Sequence, residues 1–315
     1  MILVSGGAGF IGSHLCDRLI AKGYPIICLD NFNDFYDPSI KEDNILQAQK
    51  YAKFTLVRGD ILDEELLEQL FSKHRIEKIV HLAALAGVRP SIISPTRYVD
   101  VDVKGTVCLL EAARKYNIKQ FIFGSSSSVY GFNEKVPFSE DDHTDLQVSP
   151  YATAKKAGEL YCKTYHHLYE IPITILRFFT VYGPRQRPDM AIHKFVKLMV
   201  EKKPIPMFGS GLSERDYTYI DDCIDGIIAA IEKPFGFKVF NLGNSTTVKL
   251  VDLIELIAEK LGVIQQIECL PEQPGDVPIT WADISEACSL LDYSPRISLD
   301  DGIERFVQWY FKNRN

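Results

Sequence analysis

The chain has 315 residues, is 46% hydrophobic and 24% charged, and carries a formal charge of −7. That apolar share excludes a disordered or low-complexity chain, the length predicts two lobes rather than one small core, and the acidic balance argues against nucleic acid as a partner. No apolar run approaches the roughly 20 residues that span a bilayer, and strand character begins at Ile2 with no room for a signal segment, so a cytoplasmic protein with no membrane partner is expected.

ILVS (2–5) opens the chain as a short apolar strand, and GGAGFIGSHL follows it with Gly6, Gly9 and Gly12 leading into a helix. The next strand candidates are PIICLD (25–30), KFTLVRG (53–59), KIVHLA (78–83), QFIFGS (120–125) and PITILRF (172–178), with helix-length segments between them. Their apolar character is continuous rather than alternating, which predicts burial on both faces, as in a parallel sheet covered by helices. Strand–helix alternation of this kind predicts an α/β, doubly wound domain over 1–178. After residue 178 prolines and glycines become frequent (YGPRQRPD, KKPIPMFGSG, LPEQPGDVP) and strands become sparse. This predicts a smaller, interleaved α/β lobe over 179–315, with 215–242 returning to the first domain. VKLVDLIELIAEKLG (248–262) and LDDGIERFVQWYFK (299–312) are amphipathic helices that pack that lobe.

The glycine turn implies a ligand. A helix N-terminus presents unpaired N–H groups and a partial positive charge, which suits a pyrophosphate, and glycines let the backbone approach it. The spacing is GxxGxxG, and alone it also fits a plain tight turn. Asp30 ends the second strand, eighteen residues past Gly12, where a carboxylate accepts from both ribose hydroxyls and repels a 2′-phosphate. Asp60 and Ile61 follow the third strand and bracket an adenine. Together these features predict NAD rather than NADP, with Phe10, Ile11 and Asn31 among its neighbours.

In SPYATAKKAGELY, Ser149 is a helix cap, Pro150 fits the first helical position, and Tyr151 and Lys155 share one face. An ammonium beside a phenol favours the phenolate, so a side chain that ordinarily titrates near 10 becomes a usable base. SSSSVYG (125–131) directly follows the fifth strand, at the carboxyl edge where parallel sheets bind ligands. The seven cysteines are scattered with no CxxC pair, which predicts free thiols in a reducing compartment. His166 and His167 are adjacent and point apart on a helix, so no metal is expected.

GGAGFIG, HLAA (81–84), SSSSVYG, YATAK, RFFTVYGP (177–184) and RDYTYIDD (215–222) resemble, in order, the motifs of the extended short-chain dehydrogenase/reductase family, and within it the nucleotide-sugar epimerases and dehydratases. The resemblance implies a Rossmann domain with a sugar-nucleotide lobe. It implies Ser126, Tyr151 and Lys155 as a catalytic triad, and Leu82, Ala83 and Ala84 beside the NAD. It also implies a homodimer formed through helices near 95–115 and 150–167. The implied chemistry is removal of the C4 hydrogen to NAD, rotation of the 4-keto sugar, and return of the hydride to its other face.

Dehydratases of the family carry an Asp-Glu pair where Ser127 and Ser128 stand, which argues against dehydration. DNFNDFYDPSIK (30–41), RFFTVYGPRQRPDMA (177–191) and EQPGDVPITWADIS (272–285) resemble the UDP-glucuronate 4-epimerase group, as does Gln273. A 4-keto uronate loses CO₂ readily, so such an enzyme must hold the carboxylate out of alignment. Ser127, Ser128, Thr180 and Arg187 are expected to do this, and the acidic side chain of the related decarboxylases is absent from the serine stretch. By the same resemblance Arg215 binds the diphosphate and Asp276 the uridine ribose, while Arg89 reaches phosphate or carboxylate. Asp102 departs from the family, which often has Asn there. UDP-glucose or UDP-N-acetylglucosamine epimerisation, decarboxylation, and a non-catalytic NAD sensor are the competing readings.

Overall fold

The computed structural model describes residues 1–313; of the lobe expected over 179–315, positions 314 and 315 lie outside the described residues. The first half runs β1 (Ile2–Ser5), α1 (Phe10–Ala21), β2 (Ile26–Asp30), α2 (Pro38–Ile45), β3 (Phe54–Arg58), α3 (Glu64–Lys73), β4 (Lys78–His81), α4 (Val88–Ile93), α5 (Pro95–Tyr98), α6 (Gly105–Lys115), β5 (Gln120–Ser126), α7 (Pro150–Tyr169) and β6 (Ile173–Phe178). All six strands read from the sequence are present, and the α/β doubly wound sheet is as expected. A π-helical turn, Val99–Lys104, joins α5 to α6.

The second half contributes β7 (Thr180–Tyr182), α8 (Ala191–Val200), β8 (Ile205–Phe208), β9 (Glu214–Tyr219), α9 (Ile220–Glu232), β10 (Phe237–Leu242), β11 (Thr247–Lys249), α10 (Leu250–Leu261), β12 (Ile267–Leu270), β13 (Ile279–Thr280), α11 (Ser285–Leu291) and α12 (Leu299–Asn313). Strands are therefore not sparse there, contrary to the sequence-based expectation. They are short, and most are broken by polar residues, with a proline inside β8, so no long apolar run announces them. β10 (FKVFNL) is the clearest case: as an edge strand of the large sheet it lets Lys238 reach Glu286 at 2.6 Å, and it buries Asn241 in hydrogen bonds.

The large sheet is wholly parallel in the order β10-β6-β5-β4-β1-β2-β3. The chain starts at its middle, runs outward to β3 and returns to the other side of β1 as β4. The strand order thus reverses between β1 and β4, and a crevice opens above the carboxyl ends there. Register places Ser5 level with Leu29 and with His81, so the turn after β1 emerges beside Asp30 and Leu82. Val4, Cys28, Val80, Ile122 and Leu176 pack on one face of the sheet, and Leu3, Ile27, Ile79, Phe121 and Ile175 on the other. Burying such a side chain is worth about 1.5–3 kcal/mol, and a slip of one residue would exchange the two faces.

The first of these cores continues into the smaller lobe through α8, α9, α10 and α12. Within 215–242, α9 packs on α1 and β10 joins the large sheet, whereas β9 lies in a small sheet with β11, β13 and β7. β8 and β12 form a separate parallel pair. Among the described residues no helix is long and apolar enough to cross a membrane.

Candidate active site

The turn after β1 uses its glycines in different ways. Gly6 has φ +68°, a conformation that favours glycine, and a Cβ there would lie 2.7 Å from the Ala83 nitrogen. At Gly12 a Cβ would meet the Gly6 carbonyl at 2.1 Å, so α1 sits directly against the turn. Gly9 is the N-cap of α1 and makes no side-chain cap; a Cβ there would stand 3.2 Å from the Gly6 carbonyl oxygen, a tight fit, with the Tyr36 hydroxyl next at 4.0 Å. The first N–H groups of α1 thus face an open crevice with no acidic side chain in the first helical turn. This is an anion-binding end.

One cleft is lined by Gly6, Gly9, Phe10, Ile11 and Gly12, by Asp30 and Asn31, by Asp60 and Ile61, by Leu82, Ala83 and Ala84, and by Tyr151, Lys155 and Arg187. Every residue expected beside the cofactor therefore lies along it. Asp30 is held more fully than expected: its carboxylate accepts from Ala8 N (3.2 Å), Phe32 N (2.9 Å) and Lys41 Nζ (3.0 Å). Lys41 is absent from the sequence-based expectations. Asp37 caps α2 by accepting from Ser39 N, with Pro38 in its first turn, and that helix carries Lys41 into the cleft. The cap signature DPS marks the helix in the sequence, but only the fold reveals that its lysine neutralises Asp30. Phe35 and Tyr36, also unexpected, line the cleft from the same loop.

At the other end stands α7. Ser149 Oγ accepts from Ala152 N at 3.1 Å and Pro150 occupies the first turn, which fixes where the helix begins. Lys155 is buried and donates to the Gly124 carbonyl at 2.9 Å, with Phe123 beneath its ammonium. Tyr151 packs edge-on against Tyr98, ring centroids 6.2 Å apart. One helical turn beyond Lys155, Glu159 accepts from Ser125 Oγ (2.6 Å) and is gripped by Arg177 through two bonds of 2.9 Å. Burial and the Glu159 carboxylate act oppositely on Arg177, and the carboxylate prevails, holding the guanidinium above its ordinary range.

The serine stretch divides. Ser125 lines the cleft, whereas Ser126 caps the 3-10 turn Ser127–Tyr130, its Oγ accepting from Ser128 N and lying 3.1 Å from Ser128 Oγ. Ser126, Ser127, Ser128 and Thr180 are not among the cleft-lining residues; Ser126 and Thr180 lie near the adjacent ends of β5 and β6, where Ser126 is level with Phe178. Arg187 lines the cleft, clasps Asp189 through Nε at 2.9 Å and Nη2 at 2.8 Å, and lies over the Phe35 ring. Burial pulls the Asp189 carboxyl up and the Arg187 guanidinium pulls it down, with a net fall.

Arg215, Arg89 and Asp276 lie apart from that cleft. Arg215, on β9, donates to the Glu214 and Pro278 carbonyls at 2.8 and 3.4 Å, and burial lowers its pKa. Arg89, on α4, bridges to Asp276 of the smaller lobe at 3.0 Å and stacks on Phe208.

Beneath the cleft, His81 bridges Ser5 Oγ (2.7 Å) and Thr106 Oγ1 (3.0 Å), and Ser5 Oγ accepts from Ala83 N. Burial, then the charge of Lys155, pushes the His81 pKa down to about 3, so it stays neutral. Asp102 does not pair with Lys104; it turns inward, and its Oδ1 accepts from Leu85 N at 2.7 Å. Among the described residues no group of acidic, histidine or cysteine side chains is placed to hold a metal ion.

Comparison with known proteins adds a lineage to this geometry. The model of the NAD dependent epimerase/dehydratase family matches residues 2–243. A UDP-glucuronate 4-epimerase of Thermodesulfobacterium geofontis is 41% identical over 99% of this chain and 96% of its own. UDP-glucuronate 4-epimerase 4 of Arabidopsis thaliana is 43% identical over 98% of this chain and 75% of its own. The solved structure of UDP-glucuronic acid 4-epimerase from Bacillus cereus, in complex with UDP-glucuronic acid and NAD, superimposes with a TM-score of 0.93 at 41% identity, covering 99% of both chains.

Proposed function

The chain belongs to the NAD dependent epimerase/dehydratase family, and on that premise we propose that it interconverts UDP-glucuronate and UDP-galacturonate by inverting C4 with bound NAD. The observation that carries the reading is the cleft itself: an uncapped, glycine-lined helix N-terminus at one end, and Tyr151, Lys155 and Arg187 at the other. The full-length likeness to UDP-glucuronate 4-epimerases of two organisms supports the same substrate.

The residues present fit NAD. The first turn of α1 offers N–H groups to a pyrophosphate, the bare backbone of the glycine turn lets it approach, and Asp30 at the end of β2 is placed to accept from the ribose hydroxyls, with Lys41 balancing its charge. Bound there, NAD supplies the hydride acceptor and donor for C4. Tyr151 takes the proton from the C4 hydroxyl and later returns it. Lys155 holds a positive charge at that end of the cleft, anchored on the Gly124 carbonyl, which favours the phenolate form required of a base. Ser126 hydrogen-bonds the sugar oxygen, and its neighbours Ser127 and Ser128 lack the acid–base groups that dehydration needs.

Substrate anchoring falls to cations on the smaller lobe and its connections. Among the described residues Arg215 hydrogen-bonds carbonyls and no carboxylate, with Asp276 acting on it only through its charge, so a diphosphate completes its pairing. Asp276 accepts from the uridine ribose once its bond to Arg89 opens, freeing Arg89 for phosphate or carboxylate. Arg187, aided by Ser127, Ser128 and Thr180, holds the sugar carboxylate away from the geometry in which the 4-keto acid would lose CO₂.

The active form is a homodimer joined through α6 and α7, in the cytoplasm. Leu160, Tyr161, Leu168 and Tyr169 leave an apolar strip exposed on α7, which supports a covered face. Product NMR tests the whole reading: incubation with UDP-glucuronate yields UDP-galacturonate and no pentose. Release of CO₂ with UDP-xylose would make the enzyme a decarboxylase. Tight NAD with no turnover of any UDP-sugar would leave only a sensor.

A further inference from the structure

We propose that His14 is a positioning residue: it fastens the segment that carries Arg187 to the cofactor-binding helix, and so favours a sugar that bears a carboxylate. The inference rests on Arg187 acting as the carboxylate clamp.

The segment between β7 and α8 turns over sharply. Gly183 has φ +138° and Arg185 φ +65°; the second is left-handed backbone that few residues other than glycine adopt unless their surroundings hold them there. The reversal sends nearby side chains to opposite sides. Pro184 and Arg185 line a groove shared with His14 and with Arg305 and Trp309 of α12, whereas Arg187 lines the cofactor cleft.

Both lobes hold this segment. His14 Nε2 lies 2.9 Å from the Pro184 carbonyl oxygen. Burial, then the charge of Arg185, pushes the imidazole pKa down to about 3, so the ring is neutral. A carbonyl can only accept, so Nε2 carries the proton and donates it. Beside it, Arg185 Nη1 meets Asp17 Oδ2 at 2.8 Å, an ion pair rather than an aligned hydrogen bond. On the other side Gln186 is buried, donates to the Val181 carbonyl and accepts from His193 N, both at 3.2 Å, which ties the segment to β7 and α8.

His14 is in turn a fixed post. It stands one helical turn beyond Phe10, which lines the cofactor cleft, and the two rings pack edge-on with centroids 6.0 Å apart. Further along α1, Arg18 and Lys22 pair with Asp225 and Glu232 of α9. A backbone held to α1 is therefore held in register with the cofactor site, and Arg187 hangs from that backbone. Asp189 and Phe35 restrain the guanidinium itself; His14 restrains the chain it grows from. A guanidinium meets a carboxylate through directional, paired hydrogen bonds, so a shift of the segment weakens uronate binding and leaves a neutral hexose almost untouched.

The test measures, on the holoenzyme, KM for UDP-glucuronate and the inhibition constant of UDP-glucose as a competitor. His14→Leu fills the space without a donor, and His14→Gln keeps an N–H for the Pro184 carbonyl. His14→Leu is expected to raise KM for UDP-glucuronate about three- to tenfold, with the UDP-glucose constant moving less than about twofold. It should also release CO₂ that the parent retains, and His14→Gln should recover most of the loss. Damage to packing alone would weaken both ligands together, so equal changes, or none, would overturn the proposal. Asp17→Asn removes the neighbouring restraint at a half-exposed position and should move the same constants in the same direction, which keeps the test decisive even if His14→Leu does not fold. Failure of the clamp reading looks different: Arg187→Ala would then leave KM for UDP-glucuronate unaltered. A selective rise in Arg187→Ala with none in the His14 and Asp17 variants sinks the positioning role alone.

Discussion

Gly9 and Gly12 are the same amino acid solving different problems. At Gly12 a Cβ would strike backbone at 2.1 Å, so Gly12→Ala is expected to lower the melting temperature sharply. At Gly9 a Cβ would stand 3.2 Å from the Gly6 carbonyl oxygen, a tight fit that a shift of a few tenths of an ångström relieves, and the position borders the cleft. Gly9→Ala should therefore cost less stability than Gly12→Ala yet bind NAD roughly tenfold or more weakly, measured by the cofactor retained after gel filtration. Tyr151→Phe keeps the ring and its contact with Tyr98 but removes the proton acceptor; turnover should fall by about 10²–10⁴-fold while NAD stays bound. Arg187→Ala removes a charge-assisted anchor worth about 1.5–3 kcal/mol. KM for UDP-glucuronate should rise accordingly, and that for UDP-glucose should change little. Unaltered turnover with no added CO₂ would refute the clamp.

Helix α7 carries Tyr151, Lys155 and Glu159 at successive four-residue steps, so the residues proposed to do the chemistry and the residue that fastens the helix share a face. Glu159 is locked to Arg177 and Ser125 in the interior. Glu159→Gln leaves a buried guanidinium without its counter-charge and should cost about 3–5 kcal/mol, read from urea unfolding. Much of this was legible in the sequence: the cap Ser149, the Pro150 that follows, and the Tyr–Lys spacing define the helix without a structure. The six strands of the first half were legible for a related reason, since residues buried on both faces leave unbroken apolar runs. What escaped was set by distant contacts. Lys41 matters only because α2 folds back on Asp30, Glu159 only because Arg177 lies on β6, and β10 hides because its polar residues find partners across the fold. Asp276 and Arg89 were each singled out in the sequence, but the bridge between them was not, for those positions meet only when the lobes pack.

Across the whole molecule, buried ionisable groups oppose one another with pH. Burial, then the charge of Arg185, holds His14 at about 3, and burial with Lys155 holds His81 at about 3. The unfolded chain protonates both below about 6.5, so each removes stability as pH falls through that value toward 3. Asp102 and Asp216 are raised by burial to about 6. For these the folded chain keeps protons that the unfolded chain releases, so each removes stability as pH rises from about 4 to 6. The effects counter each other between pH 4 and 6, and the slope of melting temperature there should be shallow. In Asp102→Asn/Asp216→Asn the slope should steepen, with melting temperature falling as the medium is acidified; an identical slope in calorimetry would refute the assignment. Helix α7 also joins these scales. It is twenty residues long, about 30 Å, and while its inner side bears the phenol and the ammonium, its outer side shows Leu160, Tyr161 and Leu168 to the exterior. Whatever grips that outer side holds a rigid lever whose other end is the proposed reaction centre, with no hinge between hand and tool.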